Sequence, residues 1–328
     1  MEEEDKNSTV LPFLLSSELP TINFNNLITC NSHQTKSIEV AKIHQACNQL
    51  GFFHIINHGI TKRVIEDALG SASKFFELPM EEKNMFSADD VHKPVRFSAI
   101  RSLDDNGDKL SRDFLKLYAH PIQDWIGSWP SKPADYRENV GKFAVEIKQL
   151  GTKVLEAIME SVGLNPNYSQ QSFQQGMQII AINSYQKCPP STNIVGIQSH
   201  TDHSIITILI ETNPGLEILD KRDNSWKLVP TKQGDDAIDG LIVLVGNHLE
   251  VLSNGIYKSV VHRVVTSSKS SRVSLASLHS LSMDEMVEPA LDLVDEENPK
   301  RYRASSVSDY LTYLSSKEAK PYIESLKI

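Results

Sequence analysis

The chain has 328 residues, of which 40% are hydrophobic and 23% are charged, and it contains 15 glycines and 15 prolines. This composition is typical of a globular protein with a sizeable core, and it excludes collagen-like and low-complexity chains. The net charge is −9, and no Lys/Arg-rich block is present to bind a phosphate backbone, so we expect no nucleic-acid partner. The longest strongly apolar runs, such as Leu241–Val245, have the length of a strand, and we expect no membrane span.

Two features of the sequence bear on where the protein acts. The first residues, Met1–Asp5, are acidic, which is opposite to the charge of secretory and mitochondrial targeting segments. The three cysteines, Cys30, Cys47 and Cys188, are too few and too irregularly spaced for a disulfide framework. We therefore expect a cytoplasmic protein. As separate expectations, its partner is a small molecule and the protein is a monomer.

The first half of the chain is mainly helical by pattern. Apolar side chains on one helical face precede Gly51, a natural C-terminal stop, and a short strand is predicted at 52–57. A second amphipathic helix is predicted at 62–76, and residues 85–131 are predicted to be irregular. In the segment 133–162, apolar residues recur every three or four positions, which predicts one long helix with a buried face.

The second half changes to short β-branched runs separated by turn residues, and a short helix is predicted at 308–316. A sandwich or barrel is indicated, with a jelly roll the leading candidate. The predicted strands are 177–185, 194–200, 204–210, 216–219, 226–229, 241–245, 258–265 and 272–279. We divide the chain into a mainly helical region (18–175), a β core (176–282) and a C-terminal helical extension (283–328) that closes the substrate pocket.

Two His-x-Asp/Glu triplets can place an imidazole and a carboxylate on one side of a strand, because side chains alternate there with period two. They are His200-Thr201-Asp202 and His248-Leu249-Glu250. Eleven histidines and 42 acidic residues make such triplets common by chance, and spacing alone does not choose between them. With His262 from a later strand, the first triplet completes the two-His, one-carboxylate set that holds non-haem Fe(II). A group of strand-end polar residues without a metal is the alternative, and we expect the second triplet to cap a turn at the surface.

A cationic clamp is predicted ten residues beyond His262. If the polar turn between the last two strands is a hairpin that pairs His262 with Ser274 and Val264 with Arg272, all four side chains point into one cavity. The Arg272 guanidinium can grip a carboxylate with two parallel hydrogen bonds, and the Ser274 hydroxyl can add a third. Upstream, the run Asn183–Tyr185 places an amide and a phenol on a strand that leads toward the same cavity.

Together, these motifs resemble those of the plant iron(II)- and 2-oxoglutarate-dependent dioxygenases, over nearly the whole chain. The matching stretches are 19–24, 51–59, 183–189, 200–202, 252–255, 258–259, 262–265 and 272–274. The resemblance implies an α+β protein with a double-stranded β-helix (jelly-roll) core flanked by N-terminal helices and a C-terminal helix. The sequence departs from the family pattern at Ser184, Gln186 and Asn247, and in the acidic stretch 234–239.

Carried over to this sequence, the resemblance implies Fe(II) bound by His200, Asp202 and His262. It also implies 2-oxoglutarate bound by Arg272 and Ser274, with help from Tyr185 and Asn183. The reaction implied is oxidation of a substrate by O2, hydroxylation by default, with release of succinate and CO2; ascorbate is expected to help in vitro. Desaturation, epoxidation, ring closure and demethylation use the same residues.

The resemblance also indicates which segments line the substrate pocket. Their aromatic and aliphatic character suits a flavonoid, terpenoid or alkaloid, and a carboxylate at position 113 could meet a cationic amine. The candidate substrate residues are Phe97, Asp113, Phe114, Leu117, His203, His279, Tyr310 and Leu314. Two alternatives stay open: an iron oxidase that does not use 2-oxoglutarate, of the 1-aminocyclopropane-1-carboxylate oxidase type, and a non-catalytic small-molecule receptor on the same scaffold.

Overall fold

The computed structural model describes residues 19–28, 33–103, 109–188, 194–230, 240–316 and 320–328. The strands are β1 (Thr21–Asn23), β2 (Phe52–Ile56), β3 (Val95–Leu103), β4 (Lys109–His120), β5 (Gln178–Tyr185), β6 (Ile194–His200), β7 (Ile206–Glu211), β8 (Leu216–Asp220), β9 (Ser225–Leu228), β10 (Leu241–Val245), β11 (His262–Val265) and β12 (Arg272–His279). The α-helices are α1 (Phe24–Ile28), α2 (His33–Gln49), α3 (Lys62–Glu77), α4 (Met80–Asn84), α5 (Ile122–Trp125), α6 (Tyr136–Ser161), α7 (Gln170–Gln175), α8 (Asn247–Leu252), α9 (Val307–Ser316) and α10 (Tyr322–Ser325).

The strands form two layers joined at one edge. The larger layer has the order β1-β2-β10-β7-β12-β5-β4, with β3 beyond β4, and the smaller layer has the order β6-β11-β8-β9. The layers are joined by a short parallel pairing of β4 with β6, which matches Lys109 with Ile194 and Leu110 with Val195. Except for that pairing and β1 with β2, neighbouring strands are antiparallel. The predicted jelly-roll core flanked by helices is confirmed.

The N-terminal helices cover the outer face of the larger layer. Helix α6, predicted at 133–162, runs from Tyr136 to Ser161 and buries the apolar stripe that predicted it. Its Gly151 lies so close to β12 that a Cβ atom there would come within 2.3 Å of the His279 ring. The main apolar core fills this interface and contains residues from all three predicted regions, including Phe75, Leu275 and Tyr322. The larger layer therefore has one face for the helices and one face for the cavity between the layers.

The prediction that residues 85–131 are irregular is wrong. This stretch contains β3 and β4, which pair along their whole length from Val95↔Leu117 to Leu103↔Lys109. The alternation of both strands and the Asn106-Gly107 pair between them were signals of a hairpin. The intervening residues 104–108, and the acidic stretch 234–239, lie outside the described residues.

Strand and helix bounds elsewhere are close to those predicted, with one large difference. Strand β11 begins at His262, whereas the sequence predicted that it begins at Lys258. The short elements β1, α1, α5, α7, α8 and α10 were not predicted, because each is too brief to show a periodic pattern. In the described part of the chain, no helix is both long enough and apolar enough to cross a membrane.

Candidate active site

Strand pairing brings the three proposed metal ligands together. His200 ends β6 and is directly opposite His262 at the start of β11, and the two rings are 4.2 Å apart between centroids. Asp202 follows two residues after His200, with its Oδ1 3.7 Å from His200 Nε2 and 3.8 Å from His262 Nε2. The potential ligand atoms of all three lie within 4.8 Å of one another, and among the described residues no other His, Cys, Asp and Glu cluster converges in this way. This donor set is the one that non-haem Fe(II) uses.

Backbone carbonyls fix the orientation of both imidazoles. The Nδ1 of His200 lies 2.8 Å from the carbonyl oxygen of Gln198, and the Nδ1 of His262 lies 3.1 Å from that of Val260. When Nδ1 donates to a carbonyl, the proton is held there and Nε2 keeps a free lone pair, which faces the other two ligands. Burial and the neighbouring His262 lower the pKa of His200 to about 4, so this imidazole is neutral at physiological pH. Neutral imidazole is the form that binds a metal.

The carboxylate of Asp202 is held in the same way. Burial alone would raise the pKa of Asp202, but the two imidazoles and the Thr207 hydroxyl lower it below its usual value. Thr207 Oγ1 donates to Asp202 Oδ2 at 2.5 Å, which leaves Oδ1 directed at the imidazoles. The backbone N–H of Asn247, the first residue of α8, donates to the Asp202 carbonyl at 2.8 Å. The three side chains therefore fit a ferrous ion in charge, geometry and protonation state.

The prediction that His248-Leu249-Glu250 caps a turn at the surface is wrong. Its residues belong to α8, every residue of which is buried, and His248 is 0% exposed. Burial, followed by the charge of His203, lowers the pKa of His248 to about 3, and its Nε2 is 3.5 Å from the Ser305 hydroxyl. The carboxylate of Glu250 accepts instead from the Ser259 backbone and hydroxyl at 2.8 and 2.7 Å. The second triplet is thus split between two structural contacts and does not converge on a metal.

Arg272 and Ser274, the predicted cationic clamp, line the same cavity as the metal ligands, but their strand pairs with other strands than the one predicted. Strand β12 pairs with β5 and β7, so Arg272 is opposite Tyr185 and Ser274 is opposite Asn183. Because β11 lies in the smaller layer, the turn between the two strands crosses from one layer to the other, and the predicted hairpin is wrong. The four cosubstrate candidates still line the cavity that contains the metal ligands, which has a volume of about 130 Å³.

A carboxylate that sequence reasoning missed occupies part of the clamp. Glu211, opposite Ser274 on β7, is buried and accepts from Arg272 Nε at 2.8 Å and also from its Nη2. The Nη1 of the same guanidinium donates to Ser274 Oγ at 3.3 Å, and the guanidinium lies 4.9 Å from the centre of the Tyr185 ring. Burial raises the pKa of Glu211, while Arg272 opposes that shift. Glu211 could have been suspected from sequence only if the β7–β12 pairing had been known.

Five of the eight candidate substrate residues lie on the helix-facing side of the larger layer or at the surface. Phe97 and Leu117 belong to the helix-facing core, and His279 packs against α6. Leu314 is 44% exposed. Since β4 is covered on both faces, its alternation did not indicate which face meets the cavity.

Asp113, the proposed partner of a cationic amine, is also placed differently. It shares the helix-facing side of β4, is 6% exposed, and already forms an ion pair with Arg101 at 2.7 Å. The next residue in one direction, Arg112, lines the cavity and was missed. Because neighbouring side chains on a strand face opposite sides, the cavity meets the basic Arg112 and not the acidic Asp113.

Of the remaining three candidates, Phe114 is on the cavity face of β4, and His203 and Tyr310 lie near Asp202. Phe114 is one position from Asp113 and so shares the face of Arg112, whose guanidinium lies 4.8 Å from its ring centre. His203 stacks on Tyr310 of α9, with ring centroids 4.1 Å apart and an interplanar angle of 8°. Apolar side chains that sequence reasoning did not select, among them Leu209, Leu216 and Leu244, complete the cavity wall.

Comparisons with known proteins agree with this site. The model of the 2OG-Fe(II) oxygenase superfamily matches residues 176–280, and that of the N-terminal region of non-haem dioxygenases in morphine synthesis matches 19–134. The chain is 42% identical to the rice (Oryza sativa subsp. japonica) 2-oxoglutarate-dependent dioxygenase 21, chloroplastic, over 94% of this chain and 91% of that protein. It is 40% identical to flavanone 3-dioxygenase 3 of the same species, over 94% and 93%.

A solved structure gives the same result. The crystal structure of JOX2 in complex with 2OG, Fe and JA superposes with a TM-score of 0.83 at 25% identity, covering 98% of this chain and 92% of JOX2. The chain thus belongs to the 2OG-Fe(II) oxygenase superfamily, and it is an iron- and 2-oxoglutarate-dependent dioxygenase of the plant type.

Proposed function

We propose that this enzyme hydroxylates an amphipathic plant specialised metabolite of the size of a flavonoid or terpenoid. His200, Asp202 and His262 hold Fe(II), and Arg272 and Ser274 hold the distal carboxylate of 2-oxoglutarate, with Tyr185 and Asn183 beside it. The observation that carries the assignment is that three metal-ligand side chains within 4.8 Å share one cavity with a buried guanidinium. The relatives named for flavanone oxidation support the substrate size.

When bound, the iron and the keto acid supply the oxidising power: O2 gives one oxygen atom to succinate and one to the substrate, and CO2 leaves. The protein positions the side chains that hold the iron. The carbonyls of Gln198 and Val260 keep both imidazole Nε2 atoms available, and Thr207 orients the Asp202 carboxylate. Hydroxylation is the default outcome, because desaturation or ring closure needs a particular arrangement of substrate C–H bonds.

The two alternatives are separated by simple measurements. An oxidase that works without 2-oxoglutarate would turn over substrate with no succinate formed. A non-catalytic receptor would bind a small molecule but give no visible band when Fe(II) and 2-oxoglutarate are added without oxygen. The complete ligand set favours the dioxygenase over the receptor, and the relative named as a 2-oxoglutarate-dependent dioxygenase favours it over the oxidase.

We also propose that the enzyme acts in the cytoplasm as a monomer. The three irregularly spaced cysteines suit a reducing compartment such as the cytoplasm, whereas the name of one relative places that protein in the chloroplast. Expression of a C-terminal fluorescent fusion in leaf cells tests the location, and light scattering of the purified protein tests the oligomeric state. A chloroplast signal, or a dimer mass at micromolar concentration, would contradict the respective proposal.

The central test compares the two histidines of the rival triplets. His262→Ala should abolish both the anaerobic band of the iron–keto-acid chelate and the formation of succinate, because a metal ligand is lost. His248→Gln should retain the band, although the melting temperature of this variant should fall because a fully buried ring is replaced. A screen of plant metabolites with mass detection of +16 and −2 products then identifies the substrate. If His248→Gln loses the band and His262→Ala keeps it, the ligand assignment is wrong.

A further inference from the structure

The hairpin of β3 and β4 carries a row of cations on its cavity side. Arg112, on β4, lines the cavity. Lys116 lies on the same strand, an even number of residues after Arg112, and Arg96 on β3 is directly opposite Lys116. Because directly paired residues and residues two apart share a face, all three side chains are on one side of the hairpin. We call Arg96, Arg112 and Lys116 the cationic strip.

The cationic strip continues the floor of the cavity. Across the β4–β5 pairing, Lys116 is opposite Ala181 and Phe114 is opposite Asn183, and both β5 residues line the cavity. Ala181 is in turn opposite Ala276, which also lines it. The strip therefore extends from the cosubstrate end of the cavity toward the outer edge of the larger layer.

Among the residues that the structure describes, no carboxylate lies within ion-pair distance of the cationic strip. In the part of the chain that the structure describes, none of the three forms an ion pair, and the buried Nε atoms of Arg96 and Arg112 lack a hydrogen-bond partner. Among the described residues, Arg112 Nη1 donates to the Asn183 side-chain oxygen at 3.4 Å and also interacts electrostatically with Tyr185, and Lys116 Nζ donates to the Val91 carbonyl at 2.6 Å. Asp89 and Asp90 are near enough to act on Arg96 electrostatically, and Asp90 also acts on Lys116, but both carboxylates are exposed.

Burial makes this arrangement unfavourable without an anion. It lowers the pKa of both arginines, and burial and the neighbouring Arg96 lower the pKa of Lys116 to about 8. Half-buried cations without counter-charges are normally neutralised or paired. Here the ammonium and both guanidinium groups are still charged at neutral pH, so an anion that enters would satisfy donors that the protein leaves open.

An aromatic surface accompanies the charges. The Phe114 ring lies between the guanidinium groups of Arg96 and Arg112, which are 5.2 and 4.8 Å from its centre. Tyr310, stacked on His203, is within electrostatic range of both Asp202 and Arg96: burial raises its pKa to about 12, Asp202 adds to the shift, and Arg96 opposes it. Phe114 and Tyr310 therefore place aromatic rings near the cationic strip, and Tyr310 also lies near the metal ligand Asp202.

We propose that the substrate is an organic anion, an apolar or aromatic molecule with a carboxylate that the cationic strip binds while the rest of the molecule faces the metal ligands. This rests on the proposed function and narrows it. It disfavours a cationic alkaloid, since the acidic residue that could have received an amine faces the helices and is paired with Arg101. The cationic strip would bind the carboxylate of such an acid, and the Phe114 and Tyr310 rings would contact its carbon skeleton.

The test uses size-matched triplets that differ in charge: a carboxylic acid, its methyl ester and its primary amide, on arylpropenoic, arylacetic and bicyclic terpenoid skeletons. The full chain is loaded with redox-inert Mn(II) and 2-oxoglutarate, and binding is measured by calorimetry. For at least one skeleton the acid should bind about 10-fold more tightly than its ester and amide. Esters or amides that bind as tightly as the acids on every skeleton, or acids that fail to bind, would overturn the proposal.

Variants identify the residues responsible. The double change Arg96→Gln with Lys116→Met should remove the preference for acids, while Arg96→Lys should preserve it. Lys109→Met removes a charge from an exposed, odd-numbered position of β4 and is the matched control, which should behave as the unmodified protein. A preference for acids that survives the double change would also overturn the proposal.

The same proteins, loaded anaerobically with Fe(II) and 2-oxoglutarate in place of Mn(II), separate this proposal from the proposed function. The double variant should bind 2-oxoglutarate as the unmodified protein does, which also shows that it is folded. If the unmodified protein forms no iron–keto-acid chelate, the proposed function fails. If it forms the chelate but shows no preference for acids, only the substrate class is wrong.

Discussion

The Arg272 guanidinium is shared, in the proposed mode of action, between a carboxylate of the protein and a carboxylate of the cosubstrate. Glu211 occupies its Nε and Nη2, which leaves Nη1, beside Ser274, for an incoming anion. Both Glu211 and Arg272 are buried, so their charges act on each other at low dielectric. Glu211 therefore orients the clamp and at the same time reduces its net charge.

Replacement of this carboxylate by an amide tests that double role. Glu211→Gln keeps an oxygen that can accept from Arg272 Nε but removes the competing charge, so we expect the KM for 2-oxoglutarate to fall about 10-fold, equivalent to ~1.4 kcal/mol. Steady-state kinetics of succinate formation at varied 2-oxoglutarate measures the effect. Glu211→Ala is the companion variant and should raise the KM, because the guanidinium loses its orientation. A higher KM in Glu211→Gln would mean that the charge of Glu211 is needed.

At the scale of elements, the close approach of the two layers depends on a glycine in β6. A Cβ atom at Gly196 would come within 2.6 Å of two atoms of the Tyr185 ring and 3.0 Å from a methyl group of Val264. Strand β6 can therefore pass over the cosubstrate end of the cavity only if this position has no side chain. The same strand places His200 at its end, so the metal site and the clamp are linked through β6.

Gly196→Ala should therefore damage both stability and cosubstrate binding. We expect overpacking to lower the free energy of unfolding by about 1–3 kcal/mol, with a higher KM for 2-oxoglutarate because Tyr185 must move. Thermal unfolding and succinate kinetics measure the two effects. Gly70→Ala is the matched control: it lies in helix α3 with no atom within 4 Å of the added Cβ, and it should stabilise the helix by about 0.5–1 kcal/mol. An unchanged KM in Gly196→Ala would contradict the close packing on Tyr185.

At the scale of the whole molecule, the metal ligands and the clamp come from opposite layers. His200 and His262 belong to the smaller layer, while Arg272 and Ser274 belong to the larger one. A bound metal with its keto acid would thus connect two layers that are otherwise joined along one edge by a short parallel pairing. Ligand binding should be visible as a change in the stability of the entire fold.

Saturation with Mn(II) and 2-oxoglutarate should raise the melting temperature of this 328-residue chain by about 4 °C. A ligand at 100 times its Kd stabilises the native state by ~2.7 kcal/mol, if the unfolded chain does not bind it. Differential scanning fluorimetry with each ligand alone and with both measures the shift, which should be largest with both. In His200→Ala the shift should disappear, and an equal shift in that variant would show that the ligands bind elsewhere.

Much of the site was predictable from sequence because its residues occur in short strands where side chains alternate strictly. The two-residue spacings His200 to Asp202 and Arg272 to Ser274 place each pair on one face in any strand, whatever the sheet order. The long helix α6 was equally clear, because its apolar stripe recurs over seven turns. These features follow from local geometry, and local geometry is what a sequence determines most directly.

The tertiary structure decided the rest, because it depends on which strands become neighbours. The pairing of β12 with β7 brings Glu211 to Arg272, and no local pattern links two residues 61 positions apart. Similarly, β4 is covered on both faces, so only its place between β3 and β5 determines that Arg112, and not Asp113, faces the cavity. The sequence by itself determined the family and the reacting groups, whereas the charge of the pocket around them was set by the order of the strands in the folded sheet.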